Sequence, residues 1–488
     1  MVNSAERYEA AARDLLIADP QMLAEREDRK PADLLSFLHN DHGNAERLIA
    51  VYGEELRYCH ARKKWLVWDG MRWAVDDTDQ SRRLAKQAML EFLRQALARG
   101  KEEASEKFAR GSLDARRISS MLSMAECEIF VRPDDLDTDP FALNFLNGTV
   151  DLRTGVLRPH RQTDLITRLV RYRYNPAAAC RRWKAFLTHI MGAGTTISDS
   201  DLTSRAERLV DYLQRAFGYS VTGSTIEKAV FILFGSGNNG KSTMLSTVRH
   251  LIEEYSVLLQ VDTLMVRQES NNTQADLADL CGARFVQTSE SEEGQRLAQG
   301  KLKRITQGMG KIKAVRKYEN PVEFAETHKL WLDTNRKPVI RDTDDKATFN
   351  RLHPIPFTVS IPADEIDKDL PAKLLAEAEG ILAWMVEGAR LWHSAGLGKP
   401  AEVEAAKDEW RSEMDQIGRF IEERCITGDG MRAFGSSLYS EYKHWSDLSG
   451  EHPVTSTAFG CKISERFEKK HSERGALYLG IGIRTEEN

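Results

Sequence analysis

The sequence predicts an α/β protein built on a central, mostly parallel sheet, with an α+β region before it and a small winged-helix-like unit after it. Three observations lead there. Between residues 229 and about 359, apolar runs of five or six residues alternate with helical stretches, the pattern of strands buried on both faces and joined by helices. One of these runs, 229–234, opens directly onto a glycine-rich loop and then an amphipathic helical stretch. On either side the pattern changes: short aromatic strands among helices upstream, and three helical segments closing on a β-rich stretch downstream.

Size and charge bound the rest. The chain has 488 residues, 41% of them apolar and 29% charged, with a formal charge of −5. That length suggests roughly two to four domains. The charge excludes a globally basic nucleic-acid binder and leaves a locally basic one open. Cys59, Cys127, Cys180, Cys281, Cys425 and Cys461 have no metal-ligand spacing, and a chain this long needs no disulfide framework. Residues 1–17 read as an amphipathic helix, not a signal peptide. No apolar run approaches the roughly 20 residues of a membrane span. A cytoplasmic protein without a membrane partner is expected.

In chain order, residues 1–35 read as an N-terminal helix and linker, and residues 36–205 as the α+β region. Within that region Lys64-Trp65-Leu66-Val67-Trp68-Asp69-Gly70-Met71-Arg72-Trp73 reads as a hairpin turning at Asp69-Gly70. Residues 80–130 have helical spacing, Gly148-Thr149-Val150-Asp151-Leu152-Arg153-Thr154-Gly155 reads as a second hairpin, and residues 181–216 return to helix. Residues 206–400 hold the sheet and end in a long helical segment at 370–392. Residues 401–488 begin with a charged helical connector reaching 416. Helices near 418–423, 436–446 and 456–470 follow, then a β stretch at 476–484, and three helices with a ribbon suggest a winged helix.

The loop Gly235-Ser236-Gly237-Asn238-Asn239-Gly240-Lys241-Ser242-Thr243 carries the complete spacing G-x-x-x-x-G-K-[ST] between a strand and a helix. Gly235, Gly237 and Gly240 let the backbone of Asn238, Asn239 and Thr243 turn its N–H groups toward phosphates, and the helix start adds its positive dipole end. Lys241 is placed to reach the β- and γ-phosphates of ATP, and Ser242 to ligate Mg²⁺. Such a site needs an acidic partner. The strand 283–290 ends on Glu290, with Glu292 and Glu293 beyond. Glu290 is expected to lie next to the loop, help hold Mg²⁺ and polarise the attacking water, the alternative being an ordinary acidic turn. The strand 329–334 ends on Asn335, expected to sense the γ-phosphate or hold the water, the alternative being a common turn asparagine.

Between these two strands lies the sharpest charge anomaly. Residues 294–318 contain Arg296, Lys301, Lys303, Arg304, Lys311, Lys313, Arg316 and Lys317 and no Asp or Glu. Around Gly308-Met309-Gly310 the pattern suggests a short β-hairpin, whose Lys311, Lys313, Arg316 and Lys317 would neutralise DNA backbone phosphates without reading sequence. A solvated basic surface or an anion site for ATP itself are the alternatives. Arg351 is a candidate arginine finger acting in a neighbouring subunit; the residues alone leave equally open a surface arginine paired to Asp344 or Asp345.

In this order of elements the chain resembles superfamily III helicases. More closely it is similar to the helicase half of phage and plasmid primase–helicases, a group related to the poxvirus primase–helicase. Asp137-Thr138-Asp139-Pro140, the stretch from Asn147 to Gly155, Arg182-Trp183, Leu213-Gln214-Arg215-Ala216-Phe217-Gly218-Tyr219, Thr334-Asn335-Arg336-Lys337-Pro338 and Gly380-Ile381-Leu382-Ala383-Trp384 carry the likeness, over roughly residues 40–480. The resemblance implies an AAA+-like core, homo-hexameric rings, ATP-driven 3′-to-5′ movement on single-stranded and forked DNA, and a hairpin reaching into the central channel. It assigns nucleotide binding to Lys241 and Ser242, the acidic strand end to Glu290, the sensor to Asn335, the hairpin to residues 311–317 and the finger to Arg351. The family usually has an acidic residue where this chain has Met309-Gly310, and an arginine where it has Asn350. Full-length relatives carry a primase domain upstream. With about 40 residues before the resemblance begins, no primer synthesis by this chain is expected, and a separate primase or replication initiator is the expected partner.

The leading expectation is an ATP-dependent DNA helicase in the replication of a phage, prophage or plasmid, in the cytoplasm of a bacterial host. The alternative is an ATP-driven origin-recognition or loading protein without processive unwinding, marked by sequence-specific duplex binding through residues 417–488.

Overall fold

The computed structural model describes residues 32–484, except 101, 193–199, 267–272, 289–294, 316–320, 344, 450–452 and 474. The expected helix at 1–17 lies outside the described residues. At the centre is a five-stranded sheet. Its strands are β1 (Val230–Phe234), β2 (Ser256–Leu259), β3 (Phe285–Thr288), β4 (Lys329–Thr334) and β5 (Leu352–Pro356). Their spatial order is β5-β1-β4-β3-β2, and every neighbouring pair is parallel. All the C-terminal strand ends therefore share one edge, and β1 lies between β4 and β5.

Side-chain alternation along each strand builds two layers. Phe231, Leu233, Phe285, Trp331 and Ile355 face one layer, where Phe217, Met244, Leu245 and Val248 cover them. Val230, Ile232, Val286, Leu330, Leu332 and Leu352 face the other, with Leu302, Ile305 and Trp410. Burial on both faces is why these strands read as unbroken apolar runs. Trp331 is stacked between Phe217, at 4.4 Å between centroids, and Phe231, at 4.2 Å. Its Nε1 donates to Ser220 Oγ at 2.9 Å. This fixes the helix Ser200–Val221 on the sheet. That helix meets the helix Ala378–Ala395 through glycines: a Cβ on Gly218 would lie 2.0 Å from the Ala389 nitrogen, and one on Gly388 2.0 Å from the Gln214 oxygen. The single long segment expected at 370–392 is two helices, Leu370–Leu375 and Ala378–Ala395.

Upstream, the strands Leu56–Cys59, Lys64–Trp68 and Trp73–Val75 form an antiparallel sheet. Its second turn is the expected one: Asp69 Oδ1 accepts from the backbone nitrogens of Met71 and Arg72. Nearby helices share a separate core containing Leu48, Leu84, Phe92, Ile118 and Met121. The second hairpin, Gly148–Asp151 with Val156–Arg158, instead contributes Val150 to the core of the central sheet. Residues 36–205 thus divide among three cores, the third formed by Cys59, Leu66, Trp68, Trp73, Val131 and Leu136. Glu254, just before β2, ties the segment around Arg72 to the central unit: its carboxylate accepts from Arg72, Arg171 and the Leu169 nitrogen, while Arg168 donates to the Glu254 and Cys281 carbonyls.

Downstream, the helix Ala401–Met414 buries Trp410 in the central core. A separate small core, with Ile417, Phe420, Leu438, Tyr442, Phe459 and Tyr478, then takes over. Its helices are Gln416–Arg424, Gly435–Leu448 and Ser456–Arg466, and its sheet has the order Cys425–Phe434, Gly475–Ile483, Lys469–Ser472. This is a winged-helix arrangement. The first of these strands lies between two helices and went unread in the sequence, because its middle is polar and glycine-rich. Lys469 and Lys470, expected on the last helix, lie on a strand. Among the described residues no helix is long and apolar enough to cross a membrane.

Candidate nucleotide site and hairpin

The glycine-rich loop leaves β1 at Phe234, and two of its glycines are required by their surroundings. Gly235 has φ +152°, and a Cβ there would lie 2.1 Å from the Phe357 carbonyl oxygen. Gly240 has φ +81°, and a Cβ there would meet Ile190 at 2.8 Å. Gly237 has open space around it. The segment after β5 closes on the loop, with the Ile361 nitrogen donating to the Asn238 carbonyl at 2.7 Å. The helix Lys241–Leu251 begins on the lysine itself. Its N-terminus therefore opens directly into the loop, where an anion would sit.

Lys241 is buried. Its Nζ donates to the Gly235 carbonyl at 2.8 Å, to Asn239 Oδ1 at 3.1 Å and to Asn335 Oδ1 at 3.5 Å. Asn239 also donates from Nδ2 to the Ser236 carbonyl. Ser242 Oγ donates to Asp333 Oδ2 at 2.6 Å. The tip of β4 thus touches the loop twice, through Asn335, singled out from the sequence, and through Asp333, which was not. The only signal for Asp333 was a carboxylate two residues before Asn335, after the apolar run Leu330-Trp331-Leu332, and its meaning depends on β4 lying beside β1.

In the strand order β4 separates β3, the strand that leads toward Glu290, from β1. At about 4.8 Å per strand, the end of β3 starts roughly 10 Å from β1. Glu290, Glu292 and Glu293 lie outside the described residues. Among the described residues no three His, Cys, Asp or Glu side chains gather as a metal cage. The oxygen donors at the loop, the Ser242 hydroxyl and the Asp333 carboxylate, suit Mg²⁺, which keeps several waters and takes few protein ligands.

A hairpin is present, but the glycines expected at its turn lie at its base: Lys311–Ala314 pairs antiparallel with Val322–Ala325. Lys311 and Lys313 are exposed while Ile312 and Ala314 are buried. The exposed face is not purely basic: Lys313 lies opposite Glu323 in the register, and Lys311 Nζ reaches Asp134 at 3.5 Å. Arg316 and Lys317 lie outside the described residues. At the hairpin base Gly308 and Met309 both have positive φ, and Glu326 accepts from the Gly308 nitrogen at 3.1 Å. Burial raises the Glu326 carboxyl to about 7, against the pull of that backbone bond and of Lys329 and Arg351.

Arg351 precedes β5, so it sits at the edge of the sheet away from the loop; its carbonyl accepts from the Val230 nitrogen at the start of β1. Its guanidinium donates to the Thr306 carbonyl and hydroxyl, both at 3.2 Å, and to the Ala347 carbonyl. The alternative partner Asp345 is engaged elsewhere, capping Thr348 and accepting from Lys303 at 2.7 Å; Asp344 lies outside the described residues.

Comparison with known proteins follows the same division of the chain. Residues 45–192 match the D5 N terminal like family, and residues 412–480 the Poxvirus D5 protein-like family. Residues 233–351, from the glycine-rich loop to Arg351, match a family of unknown function. Helicase-named proteins of Acanthamoeba polyphaga mimivirus and Frog virus 3 are 24% and 22% identical, over 65% and 75% of this chain. One of Invertebrate iridescent virus 3 is 24% identical over 65% of it. The chain spans 34%, 45% and 37% of the lengths of these three relatives. A solved structure titled the A form apo structure of the NrS-1 C terminal region is 11% identical, with 88% of this chain and 96% of that one covered and a TM-score of 0.48. D5-type matches on both sides of the central sheet, together with helicase-named viral relatives, make this chain similar to the helicase region of the D5-like primase–helicases.

Proposed function

We propose that this chain is an ATP-dependent DNA helicase that works as a hexameric ring, moving 3′-to-5′ on single-stranded and forked DNA in the replication of a phage, prophage or plasmid. The observation that carries this reading is Lys241, buried at the tip of β1 and bonded both to its own loop and to Asn335 of the neighbouring strand. In the reading, Lys241 exchanges these partners for the β- and γ-phosphates of ATP, and Asn335 then faces the γ-phosphate or the attacking water. Gly235, Asn238, Asn239, Gly240 and Thr243 surround the phosphates. Ser242 and Glu290 would hold Mg²⁺, which neutralises phosphate charge when bound.

The exposed Lys311 and Lys313, together with Arg316 and Lys317, would track the DNA backbone. The position of Arg351 supports a role in a neighbouring subunit's site, because the P-loop of its own chain lies beyond the far end of the strand pair. A separate primase or initiator would supply primers. ATPase activity is the test, with and without single-stranded DNA, on wild type and Lys241→Ala. DNA-stimulated turnover that the substitution abolishes supports the motor, and strand-displacement polarity comes next. Turnover indifferent to DNA overturns it.

One observation favours a second reading, an ATP-driven origin-recognition or loading protein. The winged-helix unit at 416–483 is a form suited to duplex DNA. Sequence-specific duplex binding without unwinding would select that reading.

A further inference from the structure

We propose that Asp333 is the positioning carboxylate of the P-loop serine, orienting Ser242 toward a nucleotide-bound Mg²⁺ and accepting hydrogen bonds from the ion's water ligands. The proposal rests on the reading of this loop as an ATP site. Three observations carry it. First, side chains alternate along a strand, so Trp331 and Asp333 share one face of β4, and Asn335 follows just past its end. Trp331 marks that face as the one covered by Met244, Leu245 and Val248 of the P-loop helix. Asp333 is therefore aimed at the loop by the same periodicity that buries Trp331. Second, Asp333 pairs in register with Leu233, one residue before the end of β1. This strand, and not β3, is the direct neighbour of β1.

Third, the chemistry of the contact suits the task. A serine hydroxyl has one proton and two lone pairs. Donating that proton to Asp333 at 2.6 Å leaves the lone pairs free for a cation and fixes their direction. Asp333 is only 7% exposed, so its negative charge is poorly screened and favours a cation arriving at the loop. Division of labour follows. Asp333 holds the metal side of the site, while Asn335, two residues on, faces the γ-phosphate side beside Lys241.

The test is binding of a fluorescent ADP to the full chain, titrated with Mg²⁺ and repeated in EDTA, for wild type, Asp333→Asn, Asp333→Glu and Ser242→Ala. Asp333→Asn should raise the half-saturating Mg²⁺ concentration about tenfold or more, as losing the orienting partner of a metal ligand does. Its affinity for ADP in EDTA should stay at the wild-type value. Asp333→Glu should fall between the two, and combining Asp333→Asn with Ser242→Ala should add little to Ser242→Ala alone. An unchanged Mg²⁺ dependence in Asp333→Asn, or in Asp333→Glu should the first not fold, overturns the proposal while leaving the ATP site standing. Wild type that binds no nucleotide, with Lys241→Ala no different, overturns the ATP-site reading itself.

Discussion

Lys337 Nζ sits 3.1 Å from both carboxylate oxygens of Glu413. It also reaches Glu409 at 3.2 Å and lies 4.9 Å over the Phe234 ring, at the end of β1. Lys337 is two residues beyond Asn335, and both glutamates are on the helix Ala401–Met414. One side chain thus joins the strand tip at the candidate nucleotide site to the helix that leads to the winged-helix unit. Lys337→Ala is expected to leave nucleotide affinity within about twofold and to loosen that helix by about 1 kcal/mol, since the glutamates are half exposed. Hydrogen exchange at 401–414 should rise, and should no longer respond to nucleotide. Unchanged protection there would show that the contact carries no coupling.

The hairpin makes a prediction about salt. On the proposed reading, in which Lys311 and Lys313 contact DNA phosphates, removing both should lower the slope of log affinity for single-stranded DNA against log salt by roughly 1 to 2. Lys311→Ala with Lys313→Ala is therefore expected to weaken binding by a similar factor for every sequence tested. A slope equal to that of wild type would place the DNA elsewhere.

Trp331 should be the most costly single truncation in the sheet. It is fully buried and stacked on both faces, and its indole N–H is satisfied by Ser220. Trp331→Ala is expected to cost about 3–5 kcal/mol, read as a lowered urea midpoint of the central unit. Trp331→Phe should cost less and leave the Ser220 hydroxyl without this partner.

Glu326 gives a pH dependence with a definite sign. Its carboxyl is held at about 7 when folded, against 4.5 as the ordinary value. Between those values the folded chain keeps a proton that the unfolded chain has lost. The stability it contributes is fully present below about 4.5 and is lost as pH rises through about 7. Glu326→Gln should remove this dependence, so that wild type loses on the order of 2 kcal/mol relative to the variant between pH 4.5 and 8. Parallel stability curves for the two proteins would contradict the assignment.

The features legible in the sequence were those fixed by neighbours along the chain. The P-loop needs only its own spacing and the strand before it. The turn at Asp69-Gly70 needs only a short polar side chain and a glycine. The two-sided strands announced themselves because burial on both faces leaves no polar position to break the run. The features that escaped depend on which strands lie side by side. Asp333 is an unremarked carboxylate until β4 is placed beside β1. Glu254 is one glutamate among many until Arg72, Arg168 and Arg171, from distant segments, converge on it. The strand Cys425–Phe434 escaped for a different reason: its exposed, glycine-containing middle has neither alternation nor an apolar run.

Arg351 and Lys241 stand at opposite edges of one sheet, because Arg351 precedes β5 at the level where β1 begins and Lys241 follows β1 where it ends. As a finger, Arg351 would serve another copy of the chain, which would make hydrolysis a property of neighbours. Dilution would then extinguish turnover at concentrations where nucleotide is still bound. Subunits carrying Arg351→Ala, mixed into a wild-type population, would act as poisons, depressing the rate by more than their share.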